Sequence, residues 1–171
     1  MTRPNTDRML RVNQAGEYGA TRIYAGQRAV MGTRAPHAGE IAAMAEQETA
    51  HLACFDALLA SRRVRPTALQ PVWAVAGYAL GVASALAGPK AAMACTAAIE
   101  EEIDRHYSSQ LDALGDSDPE LSGLVGEFRD DERAHRETAL AAGAEQVPLY
   151  PLFSGAIRLG CRIAIRLSQR I

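Results

Sequence analysis

The chain has 171 residues, enough for about one domain, and we expect residues 1–171 to fold as a single domain. Its 18 Lys and Arg against 20 Asp and Glu give a formal net charge of −2, which argues against nucleic acid as a partner. Hydrophobic residues form 48% of the chain, too large a share for a disordered protein, and aromatic residues only 5%. This balance favours aliphatic helix packing over an aromatic-rich β-sandwich.

Three cysteines, Cys54, Cys95 and Cys161, cannot all pair with one another, and they form no Cys-x-x-Cys motif. We interpret them as buried free thiols of a protein in a reducing compartment. The first ten residues contain no apolar run of the kind that a secretory signal requires.

Proline, glycine and capping residues divide the sequence into six predicted helices. The fifth has the clearest start, because Asp118 can cap it and Pro119 suits its first turn. No alternating run rich in Val, Ile and Thr predicts a strand, so we expect an all-α fold. The predicted bounds are, in chain order, 7–31, 36–65, 71–88, 89–115, 118–143 and 148–171.

Four of these helices carry an apolar stripe that is interrupted by a glutamate, and in two of them also by a histidine. Residues at such spacing face the inside of a helix bundle, where an unpaired carboxylate is costly. The pattern therefore needs a chemical explanation. The stripes are Leu10, Asn13, Glu17, Ala20 and Tyr24; Ile41, Met44, Glu48, His51, Phe55 and Leu58; Met93, Thr96, Glu100, Ile103, Tyr107 and Leu111; and Leu121, Leu124 or Val125, Phe128, Glu132, His135 and Ala139.

The spacing of these polar residues repeats in the two halves of the chain. Residues 48–51 and 132–135 both read Glu-x-x-His, which places a carboxylate and an imidazole on one side of a helix. Glu17 precedes the first motif by 31 residues, and Glu100 precedes the second by 32. A lone glutamate on one helix and Glu-x-x-His on the next, present twice, is typical of ferritin-like bundles that hold two iron or manganese ions.

Charge balance supports a metal centre over an empty polar core. Four facing carboxylates would repel one another, and burial of each costs several kcal/mol. Two divalent cations would neutralise them while both imidazoles stay neutral. A ligand set rich in carboxylate suits iron or manganese better than structural zinc. The alternative is that these are solvated surface charges. The candidate ligands are Glu17, Glu48, His51, Glu100, Glu132 and His135.

The other two histidines do not fit the ligand pattern. His37 lies beside Pro36 in a connection, where we expect a surface role. His106 falls about 120° around its helix from Glu100, which makes it a poor direct ligand but a candidate to face a substrate. Tyr107 returns to the face of Glu100, where it could donate a hydrogen bond to a ligand carboxylate or pack in the core.

Residues 66–89 carry no formal charge, yet they do not predict a transmembrane helix. Prolines limit the uninterrupted helix to 72–88, about 25 Å long at ~1.5 Å per residue, which falls short of a ~30 Å hydrocarbon core. Gly77 and Gly81 predict a close helix–helix contact. Trp73, Leu80 and Val82 are left to face a core, a lipid surface or a long apolar ligand.

The last predicted helix is basic and amphipathic. Its arginines recur every four residues, opposite an apolar face that includes Ile157, Ile163 and Ala164. Such a helix can lie on anionic lipid, although a solvated arginine stripe explains it equally well. Together with the uncharged segment, it favours peripheral membrane attachment. The arginines are Arg158, Arg162, Arg166 and Arg170.

The sequence resembles the demethoxyubiquinone hydroxylases of ubiquinone biosynthesis along nearly its whole length, with the motifs in the same order. One departure is Gln14, where that family leads us to expect histidine; this is not a ligand position. The matching stretches are RVNQAGEYGATRIYAGQ (11–27), EQETAHLACF (46–55), RVRPTALQPVWAVAGYALG (63–81), AMACTAAIEEEIDRHY (92–107), FRDDERAH (128–135) and GCRIAIRLSQRI (160–171).

This resemblance implies a ferritin-like four-helix bundle with a di-iron centre and two additional apolar or amphipathic helices. Glu48 and Glu132 would bridge two irons, while Glu17 and Glu100 would each cap one. It also implies that the protein hydroxylates a polyprenyl methoxy-benzoquinol, demethoxyubiquinol, with O2 as co-substrate. The candidates to line or orient the quinol ring are Tyr24, His106 and Tyr107.

The resemblance further implies a peripheral location on the cytoplasmic face of a bacterial inner membrane or the matrix face of the mitochondrial inner membrane. A lipid-binding accessory protein and a homo-oligomer are candidate partners. The alternative function is that of a ferritin- or rubrerythrin-like protein that oxidises or stores iron or scavenges peroxide. A purely structural bundle is a third interpretation. The sequence does not identify the electron donor or the prenyl length.

Overall fold

The computed structural model describes residues 5–170, which form six α-helices and one short 3-10 turn and contain no strand, as the all-α prediction requires. The sixth predicted helix ends at Ile171, which lies outside the described residues. The elements are α1 (Thr6–Met31), α2 (Ala38–Arg62), α3 (Gln70–Leu86), α4 (Pro89–Leu114), α5 (Pro119–Ala141), the 3-10 turn (Ala144–Gln146) and α6 (Tyr150–Ser168).

Caps at both ends set the helix bounds. The Asp118 side chain accepts a hydrogen bond from the backbone N–H of Leu121 at 3.1 Å and starts α5, as predicted. α1 begins before the predicted Asp7, because the Asn5 side chain accepts from the N–H of Arg8 at 3.0 Å. α2 ends before the predicted bound of 65, because Arg63 adopts a left-handed backbone with φ 54°.

Helices α1, α2, α4 and α5 form a four-helix bundle. α1 packs on α2 and α4 packs on α5, while contacts of α1 with α4 and of α2 with α5 close the bundle. One apolar cluster at one end includes Leu10, Phe55 and Val125, and a second includes Ile41 and Met93. The interrupting polar residues of the four stripes therefore lie between two apolar layers, and Val125 rather than Leu124 is the fully buried member of its stripe.

α3 approaches α1 closely through glycines, as the small-residue spacing predicts. A Cβ on Gly81 would overlap the backbone carbonyl of Ile23, and a Cβ on Gly77 would lie 3.0 Å from the backbone oxygen of Gly19. The glycines of α3 face Gly26 of α1, where a Cβ would overlap the carbonyl of Tyr78. The two helix backbones meet this closely because α3 presents glycines, which carry no side chain, at the contact.

The outer face of α3 is apolar and exposed. Trp73, Leu80 and Val82, which the sequence leaves to face a core, a lipid surface or a long apolar ligand, are half-buried. The Trp73 indole donates to the Ser168 hydroxyl of α6 at 3.0 Å, and Leu80 packs against a small apolar cluster of α1, α4 and α6. The exposed face instead carries Val75 and Leu86, each 72% exposed. No helix within residues 5–170 combines the length and apolarity needed to cross a bilayer.

The predicted apolar face of α6 is wrong. Ile157 is buried against α4 whereas Ile163 is half exposed, because six residues turn a helix by about 240° and so separate the two side chains. The arginine stripe is not wholly solvated, since Arg158 forms a 2.7 Å ion pair with Glu101 of α4. The exposed stripe of α6 is apolar and consists of Leu152, Leu159, Ile163 and Leu167.

The cysteine prediction is correct in part. All three thiols are free, but only Cys95 is buried; Cys161 is half-buried and Cys54 is exposed. Cys54 precedes the buried Phe55 on α2, and one residue turns a helix by about 100°, which carries the thiol off the inward stripe.

The glycine contact between α1 and α3 gives a stability prediction. We expect Gly81→Ala to lower the free energy of unfolding by about 1–3 kcal/mol, because the added methyl forces the two backbones apart. Gly123→Ala on α5, where no atom lies within 4 Å of the added Cβ, should raise it by roughly 0.5–1 kcal/mol. Urea denaturation of the two variants checks this, and equal stabilities would contradict the close contact.

Candidate metal centre

Six polar side chains from the four bundle helices meet at the centre of the bundle. α1 supplies Glu17, α4 supplies Glu100, and the Glu-x-x-His motifs of α2 and α5 supply the rest. Each is at most 4% exposed, so the alternative of solvated surface charges does not apply. The six are Glu17, Glu48, His51, Glu100, Glu132 and His135.

These residues form two overlapping groups that could each hold a metal ion. In each group, one ligand atom per residue lies within 4.8 Å of the others. Glu48 and Glu132 belong to both groups, while each group has one further glutamate and one histidine of its own. The first group, which we call position 1, is Glu17, Glu48, His51 and Glu132; the second, position 2, is Glu48, Glu100, Glu132 and His135.

Both histidines turn the same ring nitrogen towards the carboxylates. Nδ1 of His51 lies 3.6 Å from Glu17 Oε2 and 3.4 Å from Glu132 Oε1. Nδ1 of His135 lies 3.2 Å from Glu48 Oε1 and 3.2 Å from Glu132 Oε2. The Nδ1 atoms are therefore the nitrogens placed to bind a cation.

The other ring nitrogen of each histidine is held by a residue that the sequence analysis did not identify. Nε2 of His51 lies 3.0 Å from Asp131 Oδ2, and Nε2 of His135 lies 3.0 Å from Gln47 Oε1. An Nε2–H that donates to these oxygens leaves Nδ1 free to bind an ion. The sequence does carry a pattern that could have identified these two residues, because Gln47 and Asp131 each directly precede the glutamate of a Glu-x-x-His motif.

Two buried tyrosines hold the lone glutamates across the bundle. Tyr107 donates its hydroxyl to Glu17, and Tyr24 donates to Glu100 Oε1 at 2.9 Å. Each tyrosine lies seven residues after one lone glutamate and contacts the other, so the contacts are reciprocal. Both are 2% exposed. Their hydroxyls orient carboxylates, while a contact of either ring with substrate stays a prediction.

The remaining histidines lie outside both groups. His37 is half-buried, and its Nδ1 lies 3.4 Å from a carboxylate oxygen of the exposed Glu40. Nε2 of His106 lies 2.8 Å from Gln110 Nε2, and burial lowers the pKa of His106 to about 4. His106 lines a cleft of about 280 Å³ together with Arg162 and other residues of α4 and α6. Its place at this cleft is compatible with a role towards substrate and not with direct ligation.

The departure at residue 14 also lies away from the cluster. The Gln14 amide donates to Asp56 Oδ1 at 3.0 Å, across α1 and α2. Gln14, where we expected histidine, is therefore not one of the candidate ligands.

Unpartnered polar atoms in the cluster fit a pair of cations. Within residues 5–170, ten buried side-chain N or O atoms have no hydrogen-bond partner, and six of these ten belong to the candidate ligands. Each buried polar atom left without a partner costs about 1–3 kcal/mol, and more if it is charged. Divalent cations would satisfy all six at once. The atoms are Glu17 Oε2, Glu48 Oε1 and Oε2, His51 Nδ1, Glu100 Oε2 and Glu132 Oε1.

Crowding of the carboxylates shifts their proton affinities in the absence of a cation. Burial, followed by the charge of Glu132, raises the pKa values of Glu48 and Glu100 well above their usual range. Burial alone would lower the pKa of His51, but the Glu132 and Glu17 carboxylates outweigh it and raise that pKa to about 10. Burial would also raise the pKa of Glu132, but His135 and His51 lower it to about 2. Protons partly neutralise the cluster where metal ions would otherwise do so.

The chain is similar to a family of known enzymes over almost its full length. Residues 4–168 match the family described as ubiquinone biosynthesis protein COQ7. The 3-demethoxyubiquinol 3-hydroxylase of Rhodospirillum rubrum is 54% identical over 165 residues, which cover 96% of this chain and 78% of the relative. The human NADPH-dependent 3-demethoxyubiquinone 3-hydroxylase, mitochondrial, is 47% identical over 175 residues, which cover 100% of this chain and 80% of the human protein. The Saccharomyces cerevisiae 5-demethoxyubiquinone hydroxylase, mitochondrial, is 39% identical over 96% and 78%.

The raised pKa values predict how the stability of the metal-free protein depends on pH. A carboxyl whose folded pKa exceeds its unfolded pKa holds more protons when folded, so the free energy of unfolding falls as pH rises through that interval. Glu48, Glu100 and His51 all act in this direction above about pH 5. We therefore expect the metal-free protein to be less stable at pH 9 than at pH 6, measured by urea denaturation with a chelator present.

Glu100→Gln tests the cause of this dependence, because the amide oxygen can still accept from Tyr24 while the carboxylate is removed. Its stability should fall less between pH 6 and pH 9 than that of the wild type. Glu127→Gln on the exposed face of α5 removes a charge outside the cluster and serves as the control. Wild-type stability that increases from pH 6 to pH 9 would argue against mutual repulsion of the buried carboxylates.

Proposed function

The chain belongs to the COQ7 family of ubiquinone biosynthesis proteins, and on this premise we propose that it uses two iron ions and O2 to hydroxylate a polyprenyl demethoxyubiquinol. The chain is similar to named hydroxylases over nearly its whole length, and its buried cluster could hold a metal. The observation that carries the proposal is the overlap of the two ligand groups at Glu48 and Glu132. Two shared carboxylates suit a pair of adjacent ions.

We assign the six cluster residues as the iron ligands. Glu48 and Glu132 would bridge the ions, while Glu17 with His51 and Glu100 with His135 would complete positions 1 and 2. The set contains four carboxylates, two imidazoles and no thiolate, which suits iron or manganese. Four negative charges also balance two divalent cations when the histidines are neutral.

Iron ions held by these six residues would activate O2, and the protein's own groups supply geometry and a dry site. Tyr107 and Tyr24 restrain the carboxylates of Glu17 and Glu100, so these ligands keep one orientation. Asp131 and Gln47 hold the imidazole rings with Nδ1 directed inward. The apolar clusters on both sides of the centre exclude bulk water, which would otherwise compete with substrate and O2 for the ions.

The exposed apolar surfaces of α3 and α6 support a substrate drawn from a membrane. Val75 and Leu86 of α3 and Leu152 of α6 are each at least 70% exposed, an unusual amount of aliphatic surface for two helices. A polyprenyl tail is insoluble in water, so its enzyme benefits from contact with the bilayer. We infer peripheral attachment to an inner membrane, at the cytoplasmic face in a bacterium or the matrix face in a mitochondrion.

His106 remains our candidate for a residue that faces the quinol ring, because it lies on α4 close to Tyr107 and lines a cleft between α4 and α6. Tyr24 and Tyr107 would then act on the ring only through the carboxylates that they orient. A lipid-binding accessory protein and self-association through the apolar helices are the partners that we propose.

A ferritin- or rubrerythrin-like role in iron oxidation, iron storage or peroxide scavenging is the alternative, since the same ligand set could serve it. The apolar stripes of α3 and α6 favour a lipid-soluble organic substrate, which a storage protein does not require. The two functions differ in their product, because only the hydroxylase transfers oxygen to a quinol.

Oxygen transfer tests the proposed reaction. We expect protein loaded anaerobically with two Fe(II) per chain, mixed with demethoxyubiquinol and then exposed to 18O2, to yield a quinol with one labelled hydroxyl oxygen, detected by mass spectrometry. The two Fe(II) ions supply the two electrons that reduce the second oxygen atom to water. Glu132→Ala should abolish the product because it removes a shared ligand, whereas Glu127→Ala on the exposed face of α5 should retain it. Peroxide consumption without labelled quinol would support the scavenging alternative instead.

Flotation with lipid vesicles tests membrane attachment. We expect the wild type to float with vesicles of anionic and neutral phospholipid, and Leu159→Glu with Ile163→Glu to stay in the aqueous fraction, since two charges would enter the exposed stripe of α6. Ala43→Glu with Ala53→Glu adds the same charges to the exposed face of α2 and should float like the wild type. Equal flotation of both double variants would contradict the assigned surface.

A further inference from the structure

The two halves of the candidate metal centre carry corresponding candidate ligands, and they differ in the residues that contact the two histidines. Glu17 corresponds to Glu100, and Tyr107 orients the first as Tyr24 orients the second. The bridging carboxylates belong equally to positions 1 and 2. The hydrogen-bond partners of the carboxylates therefore give positions 1 and 2 the same net charge.

The difference lies behind the two histidines. His51 of position 1 contacts the carboxylate of Asp131 at 3.0 Å, whereas His135 of position 2 contacts the neutral amide oxygen of Gln47 at the same distance. A carboxylate that accepts from an imidazole N–H makes the opposite ring nitrogen a stronger donor to a metal, and it places a further negative charge near the ion. An amide oxygen supplies only a dipole.

The imidazole ring of His51 is also restrained by packing. Phe128 stacks on His51 with ring centroids 3.8 Å apart and an interplanar angle of 19°. The residue at the corresponding place before the other motif is Met44, which presents no ring. His51 is thus held in its metal-facing orientation by a flat neighbour as well as by Asp131.

We propose that the two positions are unequal, and that Asp131 makes position 1 the site that binds the first divalent ion and releases its ion last. The inference rests on the proposed di-metal function and names Asp131 and Gln47 as the positioning residues that set the order. Position 2, with Gln47 behind its histidine, fills second and exchanges its ion more readily with chelators.

Partial loading of crystals tests this order without measuring activity. Crystals of the wild-type protein given one equivalent of Fe(II) anaerobically should show a stronger anomalous iron peak at position 1 than at position 2. In Asp131→Asn with Gln47→Glu, which exchanges the charged and neutral partners, the stronger peak should move to position 2. Equal peaks in the wild type, or a preference that the exchange does not move, would overturn the proposal.

Affinities in solution give an independent measurement. Anaerobic calorimetric titration with Fe(II) should show a tight first step that Asp131→Asn alone weakens by about 10–100-fold. Asp130→Asn removes the same charge from the neighbouring residue, whose carboxylate pairs with Arg129 and not with a histidine, and should leave that step unchanged. Equal weakening by both variants would overturn the proposal, because a general charge effect would then explain the order.

These results separate the inference from the function on which it rests. Two irons that bind with no dependence on Asp131 contradict the inference alone and leave the di-metal centre intact. A folded wild-type protein that binds no Fe(II) contradicts both.

Discussion

Four carboxylates repel one another at the buried centre of this protein, and the surrounding bundle is organised around that repulsion. Glu17, Glu48, Glu100 and Glu132 lie at the centre of a helix bundle, between two apolar layers that give them no access to water. Within residues 5–170, no Lys or Arg forms an ion pair with any of the four. Only protons or added cations can therefore balance them, and the many unpartnered oxygens of the cluster favour cations.

The surrounding residues show how a fold can support such a centre. Reciprocal hydrogen bonds from two tyrosines, and the contacts of both histidines with Asp131 and Gln47, hold the ligands from behind. Because these partners come from opposite helices, each helix of the bundle positions groups on another. α3 and α6 lie outside this arrangement, and their aliphatic stripes are exposed.

The meeting of the six clustered side chains could be predicted from the sequence because helical periodicity is local: three or four residues separate side chains on one face, whatever surrounds the helix. The partners of the histidines could not, since Asp131 meets His51 only after α2 and α5 pack together. The exposed face of α6 was predicted wrongly for the same reason. The ion pair of Arg158 with Glu101 forms only after α6 packs on α4, and the apolar stripe of α6 is then exposed. Cys54 shows that a hydrophobic residue type does not by itself predict burial.

The number of irons retained per chain distinguishes a metal centre from an empty polar core. Protein loaded anaerobically with excess Fe(II), desalted and measured by elemental analysis should retain two irons per folded chain, because two divalent ions neutralise four carboxylates. Retention of no iron by protein that keeps its helical circular dichroism would contradict the account, since the buried carboxylates would then be tolerated without metal.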